Sequence, residues 1–271
     1  MKKKIFILIP TVILVIYALF FHISWSIIEK GSVKNIEKYL KFKSKIALNS
    51  TNKDGYSLFN VVLKSTSQED NYELIEFLAS KNLKKKKMIS PYTSLVEGLG
   101  EIDEVKLQRI EKIGILFKEK GYNDFPDDKS LLLALEKNNY KLFEILLKAG
   151  VNVNQKNELG ETAIFYIIKN HYKHNDELNR AMKMLNLKEL PDKNKLSKLY
   201  IRDEGKVYSQ ELMVIKKAAE YYAMHLKALD LLRNYKADVN IANDKGISPI
   251  KYAYDNDNKI YLNKLEKFNL K

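Results

Sequence analysis

Three stretches of the chain decide how it folds. Asn49-Ser50-Thr51-Asn52-Lys53-Asp54-Gly55 runs into Tyr56-Ser57-Leu58-Phe59. Asn154-Gln155-Lys156-Asn157-Glu158-Leu159-Gly160 runs into Glu161-Thr162-Ala163-Ile164. Asn240-Ile241-Ala242-Asn243-Asp244-Lys245-Gly246 runs into Ile247-Ser248-Pro249-Ile250. Each has an Asn six residues before a Gly, a hydroxyl residue two after it and an apolar residue four after it. Asn, Asp and Gly tolerate turn and left-handed backbone, so each stretch reads as a tight finger. Ser57, Thr162 and Ser248 suit bonds to the free N–H groups at a helix start. Pro249 falls in a first turn, where its missing N–H costs nothing. A short apolar helix therefore follows each finger.

Working outward, a second amphipathic helix precedes each finger. Leu142, Ile145, Leu146 and Leu147 recur near helical period and stop at Ala149-Gly150. Leu226, Leu229, Leu231 and Leu232 stop at Tyr235-Lys236-Ala237, and Val33, Ile36 and Leu40 precede the first finger. The repeating unit is helix, turn, helix, finger.

Two helix ends, Leu146-Leu147-Lys148-Ala149-Gly150-Val151-Asn152-Val153-Asn154 and Leu231-Leu232-Arg233-Asn234-Tyr235-Lys236-Ala237-Asp238-Val239-Asn240, look like the end of an ankyrin repeat. The Gly-x-Thr/Ser-Pro-Leu-like openings complete the motif. The chain thus resembles the ankyrin repeat family, in a degenerate, bacterial type. Asn60, Phe165 and Lys251 stand where the family has a His, which predicts a weakened hydrogen-bond network between repeats.

Weaker units fill the middle. Thr93-Ser94-Leu95-Val96 opens one, with Pro91 at the Gly place and Leu107 through Lys120 as its second helix. Ser130-Leu131-Leu132-Leu133-Ala134 opens the next, with Asp128 at the Gly place. Anchors at 55, 91, 128, 160 and 246 give gaps of 36, 37, 32 and 86 residues. The first three lie near the ankyrin period of about 33. The last implies an insertion, Asn170–Gln210, between a first helix near Glu161–Lys169 and a second at about Glu211–Asn234. The insertion reads either as a longer helical hairpin, with Asp176–Leu187 helical, or as part of a binding face.

The N-terminus reads differently. Lys2, Lys3 and Lys4 precede an unbroken apolar run from Ile5 to Phe21, and Glu29 and Lys30 close its diluted end. At about 1.5 Å per residue the run spans roughly 25 Å, or about 36 Å if extended to Ile28. A bilayer core of about 30 Å falls between. An uncleaved signal anchor is preferred to a cleaved signal peptide, because Tyr17-Ala18-Leu19-Phe20 is a poor exit. The basic tail places the N-terminus inside. Lys30, Lys34, Lys38, Lys41, Lys43 and Lys45 on the other flank argue the reverse. Trp25 suits either an interface anchor or packing under the first repeat, with Trp25–Lys30 and Val33–Lys43 as that repeat's helices. The expected fold class is all-α: an ankyrin-like helical-hairpin solenoid with one N-terminal transmembrane helix. Residues 1–28 form the basic tail and anchor, and 29–271 the solenoid with its insertion at about 170–210.

Composition narrows the chemistry. The 271 residues carry 47 Lys+Arg against 34 Asp+Glu, a net +13, and no Cys. No disulfide, thiol nucleophile or Cys-based zinc site is available. The excess is nearly all lysine, with arginine only at Arg109, Arg180, Arg202 and Arg233. Arginine makes the bidentate phosphate and guanine contacts, so nucleic acid is not an expected partner. No nucleophile elbow, P-loop or dinucleotide fingerprint occurs. His171 and His174 are i,i+3 neighbours without a supporting carboxylate pattern. Lys84–Lys87 reads as a solvated turn, with contact to an anionic headgroup as the alternative.

The expected function is a membrane-anchored, non-catalytic protein–protein interaction scaffold with no cofactor and no metal. Its partners are an unidentified protein and, through the N-terminal helix, the membrane. The resemblance implies recognition by the fingers and first helices, at Tyr56, Glu158, Glu161, Lys245 and Ile247. The alternative is a lysine-rich binder of anionic lipid, cell-wall polymer or nucleic acid, with steep salt dependence. The expected location is a single-pass cell-membrane protein whose solenoid is periplasmic or otherwise extracytoplasmic.

Overall fold

The computed structural model describes residues 51, 54–65, 72–81, 89–122, 125, 128–171, 180, 182–183, 209–256 and 258–268. Ten α-helices lie among them. The chain divides into two compact units, Met1–Ser130 and Leu131–Lys271.

The first unit holds α1 (Leu58–Ser65), α2 (Tyr72–Ala79), α3 (Pro91–Glu97) and α4 (Glu104–Glu119). Helix α1 packs on α2 and on α3, and α2 packs on α4. First helix thus lies against first helix and second against second. The amphipathic period of α4 turns Leu107, Ile110, Ile113 and Phe117 inward, as the sequence predicts. Aromatic rings fill the centre: Phe117 meets Phe59 at 5.7 Å and Tyr92 at 5.1 Å between ring centroids. Each such side chain contributes about 1.5–3 kcal/mol by leaving water.

The second unit holds α5 (Ser130–Glu136, which starts at the last residue of the first), α6 (Tyr140–Lys148) and α7 (Ala163–His171). It continues with α8 (Ser209–Asn234), α9 (Pro249–Asp255), α10 (Lys259–Leu265) and a 3-10 turn at Glu266–Phe268. Helix α7 packs on α8 and α9, α6 on α8, and α9 on α10. The apolar stripe of α6 (Leu142, Phe143, Ile145, Leu146 and Leu147) is buried. It ends at Ala149, and Gly150 follows with φ 84°. That left-handed turn is what the Ala-Gly pair predicts. Lys236 takes the matching place after α8 with φ 61°.

The five helix starts expected from the sequence are present, with one shift of register. Helix α3 is capped by Ser90, whose side chain accepts from the Thr93 N–H, rather than by Thr93 itself. Ser90 therefore matches Ser57, Thr162 and Ser248, and Thr93 matches Asn60, Phe165 and Lys251. The two caps Ser57 and Ser90 are 33 residues apart, the ankyrin spacing.

The transmembrane part of the expected fold class is corrected. No helix among the described residues is long and apolar enough to cross a membrane. A span needs about 20 predominantly apolar residues. The longest helix, α8, has 26 residues but carries Glu211, Lys216, Lys217, Glu220, Lys227, Asp230 and Arg233. The apolar run at 5–28, on which the anchor rested, lies outside the described residues. So do the two helices expected within 25–43, Lys84–Lys87, and nearly all of 172–208. Among the described residues the architecture is all-α with no spanning helix, so the membrane, signal-anchor and single-pass extracytoplasmic assignments, which need one, are not upheld there.

Candidate functional site

The fingers are built by an Asn three residues before the Gly. Asn157 Oδ1 accepts the N–H groups of Leu159 and Glu161, both at 2.9 Å. Asn243 Oδ1 accepts those of Lys245 and Ile247, both at 3.0 Å. The backbone closes each loop: Asn157 N–H donates to Glu161 O at 3.0 Å, and Asn243 N–H to Ile247 O at 2.9 Å. One short side chain thus satisfies two donors in a turn that leaves them no helical or sheet partner. Asn52 holds the same place in the first finger. The sequence signal is the recurrence of this Asn, three before the Gly, in all three stretches.

That earlier Asn has its own task. Asn154 Oδ1 accepts the Asp238 N–H at 2.9 Å, tying one finger to the next. The Asp244 N–H donates to Leu159 O at 3.1 Å, and Lys156 Nζ to Ala242 O at 3.0 Å. Gly160 makes the approach possible. Its φ is 72°, and a Cβ there would stand 2.8 Å from the Asp244 backbone N and against its carboxylate. A side chain is thus excluded by strain and by space.

Of the expected contact residues, four fall on these two adjoining fingers. Glu158 and Lys245 are exposed and Ile247 is half-buried. Beside Glu158, Leu159 is 57% exposed. Glu161 is different: it is 6% exposed and turned into the protein. Its Oε1 accepts Lys169 Nζ at 2.7 Å and its Oε2 accepts Asn157 Nδ2 at 3.2 Å. It braces the finger on α7.

Tyr56 belongs to the first unit. Its hydroxyl donates to Glu97 Oε2 at 2.9 Å, and Lys64 Nζ sits 3.9 Å from its ring centroid. Lys64 also pairs with Glu97 at 3.0 Å. Burial alone would lower the Lys64 ammonium, but its bonds to Tyr56 and Glu97 hold it above the ordinary lysine value. Tyr56, Lys64 and Glu97 therefore present one locked surface group.

The network expected to be weak for want of His is rebuilt with other residues. Asn60, fully buried, accepts the Ser57 N–H at 3.0 Å and the Ser57 hydroxyl at 2.7 Å through Oδ1. Its Nδ2 donates to Ile89 O at 2.8 Å and to Ser94 Oγ at 2.9 Å. An amide carries donor and acceptor at one end, which is what that place requires. Thr93 links onward by donating to Asp128 Oδ1 at 3.0 Å. Phe165 has no polar atom to offer, and its ring packs on Tyr252 at 5.0 Å.

Among the described residues no group of three or more His, Asp or Glu is placed to hold a metal ion. His225, buried on α8, packs its ring on Tyr221 at 4.1 Å and faces the Tyr261 hydroxyl at 3.3 Å.

The chain matches no protein-family model. It is 26% identical over 145 residues, 51% of its length, to a putative ankyrin repeat protein of fowlpox virus (strain NVSL). The match covers 33% of the viral protein. With the helix pairs and fingers above, that similarity supports an ankyrin-repeat relationship.

Proposed function

We propose that this protein is a non-catalytic scaffold that holds a protein partner on its fingers and first helices. The observation that carries the reading is the paired finger of the second unit. Its backbone is fixed by Asn157, Asn243 and the bond from Asp244 N–H to Leu159 O. It shows Glu158, Leu159 and Lys245 to solvent. A surface that is ordered before it binds loses little freedom on binding. Such a site recognises a partner by shape and charge pattern and needs no reacting group. The similarity to an ankyrin repeat protein supports the same reading. Within it, Glu158, Lys245, Ile247 and Tyr56 supply contacts, and Glu161 supplies the brace.

The test is a charge reversal at the tips. Glu158→Lys with Lys245→Glu leaves the buried bonds in place. The helical circular dichroism should match that of the parent chain. A partner captured by the parent from a lysate of its own cells should be lost at least about tenfold, as expected when a rim of complementary charge is inverted. Equal capture by both proteins would exclude these fingers as the contact.

A further inference from the structure

Among the described residues, the deepest charged-type side chain outside the fingers is Asp128, which is 1% exposed. Its place explains why it is unusual. It stands two residues before Ser130, the first residue of α5, and lies against the start of α3. Oδ1 is fully used: it accepts the Thr93 hydroxyl at 3.0 Å and the Ser130 N–H at 2.9 Å. Thr93 Oγ1 in turn accepts the Lys129 N–H at 2.9 Å. Oδ2 is buried with no hydrogen-bond partner, and so is the neighbouring Ser130 hydroxyl.

Among the described residues, the groups that face the carboxyl are neutral. From α3 and its cap they are the hydroxyls of Ser90 and Thr93 and the phenol of Tyr92; from its own segment, the Ser130 N–H and hydroxyl. Its chain neighbours are Asp127 and Lys129. A carboxylate buried among neutral groups, with one oxygen unbonded, carries an uncompensated desolvation cost. A carboxylic acid in the same place does not. Its proton gives Oδ2 a donor, and the Ser130 hydroxyl is an acceptor without one.

We propose that Asp128 is a proton-linked latch, which holds the Asp128–Ser130 segment against α3 most firmly when its carboxyl is protonated and loosens as it ionises. The direction of its acidity agrees: burial pushes the carboxyl above the ordinary range, and the bonds from the Ser130 N–H and the Thr93 hydroxyl only partly offset it. The sign follows. A folded-state value raised above the unfolded one gives stability that is complete below the unfolded value. That stability is lost as pH rises through the folded value.

The test compares the full chain with Asp128→Asn and Asp128→Ala from pH 5 to pH 8. Denaturant unfolding and amide exchange at Lys129 and Ser130 are the readouts. Asn keeps both accepted bonds and adds a permanent donor where the acid has its proton. It should flatten the pH dependence. At pH 8 the two amides should exchange at least about fivefold more slowly than in the parent chain measured at the same pH. Ala removes the acceptor and should destabilise at every pH. If Asn is less stable than the parent at pH 8, the charge itself holds the segment and the latch is overturned. Parallel pH profiles for the parent and Asn would overturn it equally.

Discussion

The contact between α1 and α3 and the contact between α7 and α9 join the same kinds of helix at the same repeat position, by opposite chemistry. In the first, Asn60 spends its whole amide on Ser57, Ile89 and Ser94. In the second, Phe165 offers only a ring, which meets Tyr252. Beside that ring, Asp244, Lys156 and Asn154 supply bonds between neighbouring loops. At this position one side chain either bonds across the joint or fills it. A degenerate motif residue therefore does not mean a weak joint.

The largest effect should come from the apolar joint. Phe165 is 2% exposed, so Phe165→Ala removes a buried ring and leaves a hole beside Tyr252. The expected loss is about 4 kcal/mol. It should appear in urea unfolding followed by amide exchange, and the exchange should locate the damage in α7 and α9. A loss below about 1 kcal/mol would mean that the finger bonds alone hold the joint, which would break the comparison.

Asn60→Ala comes next, at about 3 kcal/mol. It strips partners from the Ser57 N–H, the Ser57 hydroxyl, Ile89 O and Ser94 Oγ, all inside the unit. Buried groups left without partners cost about 1–3 kcal/mol each, but relaxation and water recover part of the sum. Asn60→His should restore most of the stability, since an imidazole also offers one donor and one acceptor. Failure of His to rescue would show that the amide geometry, rather than the donor–acceptor pair, is what the joint needs.

Most of the helix order was legible because finger chemistry is local. Gly55, Gly160 and Gly246 adopt φ of 84°, 72° and 73°, as expected of residues that close such turns. The starts of α1, α7 and α9 follow each within three residues. The long stripe of α4 was equally readable, because four turns give a period time to declare itself. Helices α2 and α10 were not anticipated. They have 8 and 7 residues, too few for a period to stand out, and tertiary packing rather than pattern sustains them. The buried place of Glu161 was also illegible. A glutamate after a finger Gly reads as surface, and only the positions of Lys169 and Asn157 turn it inward. The register at α3 slipped by three because Ser90 and Thr93 both carry hydroxyls and the Gly that would have arbitrated is missing.

The smallest expected effect is a gain, and it tests whether the two helix ends that carry the ankyrin resemblance are equivalent. After α6 the left-handed residue is Gly150, at φ 84°; after α8 it is Lys236, at φ 61°. Around them the bonds match: Asn154 N–H donates to Asn152 Oδ1 at 2.9 Å, and Asn240 N–H to Asp238 Oδ1 at 2.8 Å. Lys236 is exposed, so little packing goes with its side chain. A residue with a Cβ stands about 1–2 kcal/mol above its best conformation there, whereas Gly does not. Glycine also gains more freedom in the unfolded chain, which takes back part of that difference. Lys236→Gly should therefore stabilise α8 by about 0.5–1 kcal/mol, and Gly150→Ala should cost about 1 kcal/mol or more. Paired denaturation curves of the two variants would check both signs. If Lys236→Gly destabilises, the two ends share a backbone shape but not the forces that hold it.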